Sequence, residues 1–177
     1  MPTYDQTRAE CLVYAFKEGL LAAVGHDVKL RVGKFSVESD GATLKGTFDP
    51  ASVATVTAMR QGSENPGALS DKDKRTIDGY LRDDILHPRR FPKIEFRSTE
   101  IEAEDDGWNV EGDLTLHGRT RKVKGRVERR GDRLVGRVRV HQPDFGIEPF
   151  RAMLGTLKIQ PTVEVELSVP VDALAAT

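Results

Sequence analysis

The chain has 177 residues, a formal net charge of −1 and a single cysteine. This length is near that of one large domain and suffices to bury a core without disulfides or metals, so we expect one domain over residues 1–177. The near-balanced charge argues against a general nucleic-acid binder, and a lone cysteine excludes an internal disulfide.

The first third of the chain alternates apolar and polar residues, which is typical of strands with one buried face. The clearest of these strands carries three aliphatic side chains of one parity: Val28, Leu30 and Val32. A short helical turn is predicted before it, over residues 19–26. After it, Asp40-Gly41 supplies hairpin turn residues, and the polar, breaker-rich stretch 60–67 predicts a mobile loop.

One amphipathic helix is predicted over Ser70–Asp84. Ser70 and Asp73 have the spacing of a capping box. Pro88 disfavours continuation of the helix past His87. The apolar residues of this region recur at roughly helical spacing: Ile77, Tyr80, Leu81 and Leu86.

Strand alternation returns after residue 92. Its inward parity is assigned to four side chains on two strands: Ile94, Phe96, Leu114 and Leu116. Gly112 interrupts the second of these strands and predicts a bulge or a close backbone contact. Hairpin turns are predicted at Asp106-Gly107 and Gly131-Asp132. Pro170, in the last apolar stripe, predicts an edge position or the end of pairing.

Many short antiparallel strands with one inserted helix predict a mainly β fold. Both a closed barrel and a sandwich fit this pattern, and periodicity does not separate them. A barrel of about eight strands encloses a space that side chains fill or that one ligand occupies.

Charge is unevenly distributed along the second half of the chain. Residues 95–113 hold eight acidic residues and one arginine, whereas residues 119–139 hold ten lysines or arginines and two acidic residues. We expect these segments to be neighbouring strands whose outward charges face each other. A site for an anionic head group on the basic strand is the alternative.

The sequence offers little support for catalysis or metal binding. None of the four histidines has the spacing of a zinc site, so we expect no metal and no cofactor. His26 and Asp27 are adjacent, but neighbouring strand residues face opposite sides. Cys11 is interpreted as a small buried hydrophobe. Catalytic residues are therefore predicted to be absent, and the protein is expected to be non-enzymatic.

Three sequence blocks together resemble the signature of the YceI-like family, also described as lipocalin-like polyisoprenoid-binding proteins. They are FPKIEFRS (91–98), GDLTLHGRTRKV (112–123) and PDFGI (143–147). The passage LRDDILHPRRFP (81–92) is similar to the family segment that precedes the first block. Each block is weakly specific, but their order and separation carry the resemblance over most of the chain.

The resemblance implies a lipocalin-like antiparallel β-barrel whose apolar lumen holds a long isoprenoid or a similar amphiphilic lipid. The lumen-lining residues would be those of inward parity together with Phe145 of the third block. The helix and the segment to Phe91 would form a lid, through Ile77, Tyr80, Leu81, Leu86 and Phe91. The implied role is to bind, carry or sequester this lipid. Two alternatives stay open: a structural or interaction module whose barrel is filled by side chains, and an enzyme that uses a lumen histidine.

The sequence also suggests where the protein resides. The segment MPTYDQTRAE has neither a basic start nor a long apolar run, so no secretory signal is visible. The longest purely apolar run, residues 20–24, is far shorter than the roughly 20 residues of a transmembrane helix. We therefore expect a cytoplasmic protein that has no transmembrane segment and binds no nucleic acid. A homodimer is compatible with the sequence.

Overall fold

The computed structural model describes residues 2–18, 25–152 and 157–173. Alternating stretches such as 163–169, VEVELSV, form strands because branched and apolar side chains suit a pleated, half-buried surface. The strands of the described residues are, in chain order, β1 (Thr3–Asp5), β2 (Glu10–Ala15), β3 (Lys17–Glu18), β4 (Asp27–Val32), β5 (Phe35–Ser39), β6 (Leu44–Phe48), β7 (Val53–Arg60), β8 (Ser63–Asn65), β9 (Ile94–Glu104), β10 (Gly107–Leu116), β11 (Arg119–Arg130), β12 (Arg133–His141), β13 (Arg151–Ala152), β14 (Leu157–Ile159) and β15 (Thr162–Pro170).

Twelve of these strands form one sheet in the order β1-β5-β6-β9-β10-β11-β12-β15-β2-β4-β7-β8. The sheet is strongly curled. Val37 of β5 and Val28 of β4 belong to one buried cluster, although β5 and β4 are eight places apart in the order. In a flat sheet, a strand spacing of about 4.8 Å would separate them by about 38 Å.

A long, bent hairpin joins the two ends of the curled sheet. One arm is β4 followed by β5, and the other is β6 followed by β7, with β4 paired to β7 and β5 paired to β6. At the bend, the Gly33 amide donates to the Ser52 carbonyl and the Asp49 amide donates to the Lys34 carbonyl. Pairing therefore continues through the bend, and the hairpin links β2 on one side to β9 on the other.

The curled antiparallel fold is as predicted, but the expected number of about eight strands is wrong. The large sheet has twelve strands. Two of the additional strands arise because the bend divides each arm of the hairpin. The other two are short edge strands, β1 and β8, which pair only with β5 and β7.

The helix α1 (Asp71–Tyr80) confirms the predicted capping box. The Ser70 hydroxyl accepts from the Asp73 amide, and the Asp73 carboxylate accepts from the Ser70 amide. The helix continues as a π-helical stretch over Leu81–Leu86 and ends at His87, whose φ is 46°. The Asp78 carboxylate ties α1 to the sheet, because it accepts from both the amide and the hydroxyl of Thr55 at 2.7 Å.

Most of the predicted turns and irregularities occur where the sequence places them. The three hairpin turns connect β5 to β6, β9 to β10 and β11 to β12. The register shifts at Gly112, and pairing ends at Pro170. The predicted mobile loop over 60–67 is wrong in its first part: Gln61 and Gly62, both at positive φ, make a tight turn into β8. The predicted helical turn over 19–26 lies mostly outside the described residues.

The acidic and basic segments occupy adjacent strands, as predicted. Glu111 of β10 accepts from Lys122 and Lys124 of β11, at 3.2 and 2.8 Å. Arg126 reaches Glu104 at 2.7 Å. These pairs lie on the outer face of the sheet, opposite the apolar side chains, and they favour the observed register of β9, β10 and β11. In the described part of the chain, the helices are too short and too polar to cross a membrane.

Candidate functional site

The concave side of the curled sheet encloses an apolar cavity of about 530 Å³. Strands from across the whole sheet contribute side chains to the cavity wall. The helix α1 and the π-helical stretch that follows it cover one side of the cavity. Seven of the eight residues predicted to line the lumen lie in this wall: Val28, Leu30, Val32, Ile94, Phe96, Leu114 and Leu116.

Strand parity explains this placement. Alternate residues of a strand face the same side of a sheet, so one correctly assigned residue fixes its neighbours at positions two away. Leu114 pairs with Phe96 across β10 and β9, which brings two of the predicted residues side by side. The structure therefore places Leu114 next to Phe96 in the wall. That both side chains contact a ligand is a prediction.

The wall also includes residues that were not selected from the sequence. They come from three strands whose alternation was visible in the same way, and they are Val123, Val138, Val140, Val163, Val165 and Leu167. Ile147, the last residue of the signature block PDFGI, is a further wall residue. The parity signal that identified Leu114 would have identified the strand residues as well.

Two inward-facing glycines leave part of the wall without side chains. A Cβ at Gly136 would meet Val127 Cγ2 at 3.4 Å and the Leu167 carbonyl at 3.8 Å, which are ordinary contacts. A Cβ at Gly125 would lie 2.7 Å from the Arg137 carbonyl oxygen, so this position requires glycine. Gly136 therefore adds open space to the cavity, whereas Gly125 allows close approach of β11 and β12.

Four of the five predicted lid residues face the cavity: Ile77, Tyr80, Leu81 and Leu86. The helix and its π-helical extension contain no fully buried residue. Tyr80 is 41% exposed, and its ring packs on Phe150 with the ring centroids 4.6 Å apart. The helix therefore covers the cavity with half-buried side chains.

Phe145 does not line the cavity, unlike the prediction. It lies in a 3₁₀ turn (Gln142–Phe145), where strand parity does not apply. The turn places its ring in a packed cluster with Leu114, Val140 and Ile147, where it is 1% exposed.

Phe91, the fifth lid residue, also lies outside the cavity wall. The left-handed conformation of His87 turns the chain away from the helix. Phe91 then packs on the ring of His117, with the centroids 4.3 Å apart, and over Gly118. It anchors the end of the lid to the turn between β10 and β11.

The fold brings two histidines together that are far apart in sequence. The rings of His87 and His117 have their centroids 5.5 Å apart. Partial burial, followed by the nearby charge of His87, lowers the pKa of His117, although a hydrogen bond to the Phe145 backbone opposes this shift. The buried Nε2 atom of His117 has no hydrogen-bond partner among the described residues.

Four polar side chains of the cavity lining lie at the end near the start of β4. They are Lys17, His26, Gln142 and Lys158. The Asp27 carboxylate accepts a hydrogen bond from the Lys17 backbone amide at 2.8 Å. It therefore links β3 to the start of β4 and does not form a dyad with His26. Arg126 and Arg137 also border the cavity, but their guanidinium groups bind acidic residues, Glu104 and Glu166.

Cys11 is part of the cavity wall and is 1% exposed. Burial, with a smaller contribution from Glu10, raises the pKa of its thiol to about 12. The thiol is therefore protonated at neutral pH and is a poor nucleophile. Across residues 2–18, 25–152 and 157–173, no three His, Cys, Asp or Glu side chains come together as a metal site would require.

Sequence comparison identifies the family. The model of the YceI-like domain matches residues 13–171, which is most of the chain. The protein belongs to the YceI-like family. No curated protein matches its sequence.

Two solved structures resemble this YceI-like chain over nearly its full length. BcnA of Burkholderia cenocepacia aligns with a TM-score of 0.60 at 17% sequence identity. The alignment covers 91% of this chain and 94% of the BcnA chain. A polyisoprenoid-binding domain from Saccharophagus degradans, implicated in plant cell wall breakdown, has a TM-score of 0.55 at 15% identity, with coverages of 94% and 95%. At these identities the likeness establishes the fold, which is the one that the sequence resemblance implied.

Proposed function

We propose that this YceI-like protein binds one long apolar chain, an isoprenoid or a similar amphiphilic lipid, in the cavity and carries or sequesters it. The observation that supports the proposal is the apolar cavity of about 530 Å³, which lies within the range of about 300–1,000 Å³ typical of small-molecule sites. Burial of apolar ligand surface contributes about 25 cal/mol per Å², so few polar contacts are needed. The proposed role is non-enzymatic and cytoplasmic, and residues 1–177 act as one domain.

The distribution of polar groups favours an amphiphile over a plain hydrocarbon. Lys17, His26 and Lys158 line one end of the cavity, whereas the wall along β10, β12 and β15 is formed mainly by aliphatic residues. An apolar chain would lie along these three strands, and its polar end would stay near the cationic side chains.

The test fills the cavity from Gly136. In Gly136→Leu, the new side chain projects into open space, so we expect it to abolish binding of a fluorescent apolar probe without loss of the fold. The matched control is Ala54→Leu, which adds a leucine on an exposed position of β7 and should bind the probe as the wild type does.

Native mass spectrometry of the wild type provides a second readout. A carrier purified from cells should show an adduct that disappears on denaturation and that is reduced in Gly136→Leu. If the wild type is free of adduct and binds no apolar probe, the interior serves only as the core of a structural or interaction module.

A further inference from the structure

Five cationic side chains, which we call the basic rim, surround the end of the lid. They are Arg89, Arg90, Lys93, Arg119 and Arg121. The segments 87–93 and 117–121 meet because Phe91 packs on His117, with the ring centroids 4.3 Å apart. Arg90 stacks on Phe91 at 5.0 Å, and the Arg119 guanidinium lies against Gly146. Two segments that are distant in sequence thus bring their charges to one corner.

The basic rim is exposed, and its charges are not paired with acidic side chains of the described residues. All five side chains are exposed, and within the described ranges none of them forms a salt bridge. Further along β11 and β12, five basic side chains bind acidic residues: Lys122, Lys124, Arg126, Arg130 and Arg137. Arg129 and Arg139 form no salt bridge among the described residues, so unpaired charge is not confined to the lid. The rim differs because unpaired charges from two segments meet there.

The position of the basic rim indicates which kind of surface would bind it. It continues directly from a helix that covers an apolar cavity, and that helix also carries Tyr80, the one exposed large hydrophobic residue of the described chain. Tyrosine side chains with an apolar body and a polar tip are favoured at the surface of a bilayer. A cationic corner next to a lid that covers an apolar cavity complements a surface that is anionic and contains lipid.

We propose that the basic rim docks the protein on anionic lipid membranes, with the lid turned toward the bilayer. Docking would allow the apolar ligand to exchange with the membrane, and this purpose rests on the proposed function. Docking itself requires no bound ligand. A nucleic acid would match the charge of the rim but would offer nothing to the apolar cavity beneath the lid. Attraction of this kind acts within a Debye length, about 8 Å at physiological ionic strength.

The experiment measures co-sedimentation of the delipidated protein with vesicles of phosphatidylcholine alone or with 30% phosphatidylglycerol, at about 0.15 M salt. We expect binding to the anionic vesicles only. Because each surface arginine contributes about a fivefold factor, Arg119→Gln/Arg121→Gln should weaken this binding by about twenty-fivefold. Arg119→Lys/Arg121→Lys, which keeps the charge, should retain it and also controls for folding.

The matched control removes two arginines from the other end of the same strand. Arg129 and Arg130 lie at the far end of β11, about 33–36 Å from Arg119 at about 3.3 Å per residue. Arg129→Gln/Arg130→Gln should bind anionic vesicles within about twofold of the wild type, since its charges lie several Debye lengths from the rim.

Several results would overturn the proposal. These are equal binding to both kinds of vesicle, equal losses in the rim and control variants, or equally tight binding to duplex DNA that depends on the same two arginines. Failure of ligand binding would be distinguishable, since Gly136→Leu should dock on vesicles normally even when its cavity is filled.

Discussion

Aromatic rings occupy the space above several glycines. Each of these glycine–ring contacts positions one aromatic side chain. A Cβ at Gly112 would lie 2.5 Å from Cζ of Phe96, and one at Gly118 would lie 2.7 Å from Cε1 of Phe91. Each ring replaces the side chain that its glycine lacks. Phe96 thereby packs over Gly112 in the cavity wall, and Phe91 holds the end of the lid against the turn at His117.

His117 predicts a pH dependence of stability. Burial, His87, Arg90 and Arg119 together hold its pKa below the usual value of 6.5. His117 therefore binds a proton more weakly in the folded protein than in the unfolded chain. As the pH drops below about 6.5, protonation favours the unfolded chain, so the free energy of unfolding should fall. It should stop falling once the pH is below the folded-state pKa.

The measurement is urea unfolding between pH 8 and pH 5 for the wild type and His117→Asn. Asparagine tolerates the positive φ of 53° at this position but does not titrate. We expect the variant to lose less stability on acidification. Parallel pH profiles for the two proteins would mean that His117 does not titrate differently in the folded and unfolded states.

At the scale of elements, the seven residues selected by strand periodicity lie in the cavity wall, whereas wall residues of β11, β12 and β15 were not selected. Leu114 and Phe96 face inward because regular strands transmit parity along their length. The two predicted residues outside the wall were not assigned by strand parity. Phe145, taken from the third signature block, lies in a 3₁₀ turn, and Phe91, assigned to the lid, lies beyond the left-handed His87 and packs on His117. The bend at Gly33 was not predictable either, because it depends on hydrogen bonds to Ser52 and Asp49 that form only when the two arms pair.

The lid is predicted to be the most responsive element. Its helix is tied to the sheet by Asp78 and Thr55 but buries no residue fully, so local opening should cost little free energy. An apolar ligand would contact Ile77, Tyr80 and Leu81 from below. We therefore expect slower amide hydrogen exchange over residues 77–92 when an apolar ligand is bound.

The turn between β11 and β12, at residues 129–133, serves as an internal control for exchange. It lies away from the lid, so its exchange should not change. Protection confined to the strands, with residues 77–92 unaffected, would show that the lid does not respond to the ligand.

For the molecule as a whole, the main question is whether the interior behaves as a binding cavity or as a packed core. Both regions exist in this chain. One cluster packs Leu114, Val140, Phe145 and Ile147 together, while Gly136 and the surrounding valines leave adjacent space open. A single substitution at their boundary distinguishes the two behaviours, and Leu116 stands there: it lines the cavity and also packs against that cluster.

Leu116→Glu introduces a charge that is costly in a dry interior unless it reaches water. In an open cavity with a hydrated mouth, the charge can be solvated, so we expect probe binding to be abolished and the free energy of unfolding to fall by only about 1–3 kcal/mol. Leu116→Met, which conserves volume, should cost less than about 1.5 kcal/mol and should keep probe binding. Melting temperature, urea unfolding and probe affinity of the three proteins provide the comparison.

The pattern of results separates the alternatives because the two readouts respond to different properties of the interior. Loss of more than about 4 kcal/mol, or failure to fold, would mean that Leu116 is enclosed in a packed core, which favours the structural or interaction module. Unchanged stability together with unchanged probe affinity would mean that Leu116 faces outward, in conflict with the register of β10 on β9. Loss of binding with modest loss of stability is expected only if the curled sheet keeps open space for an apolar chain.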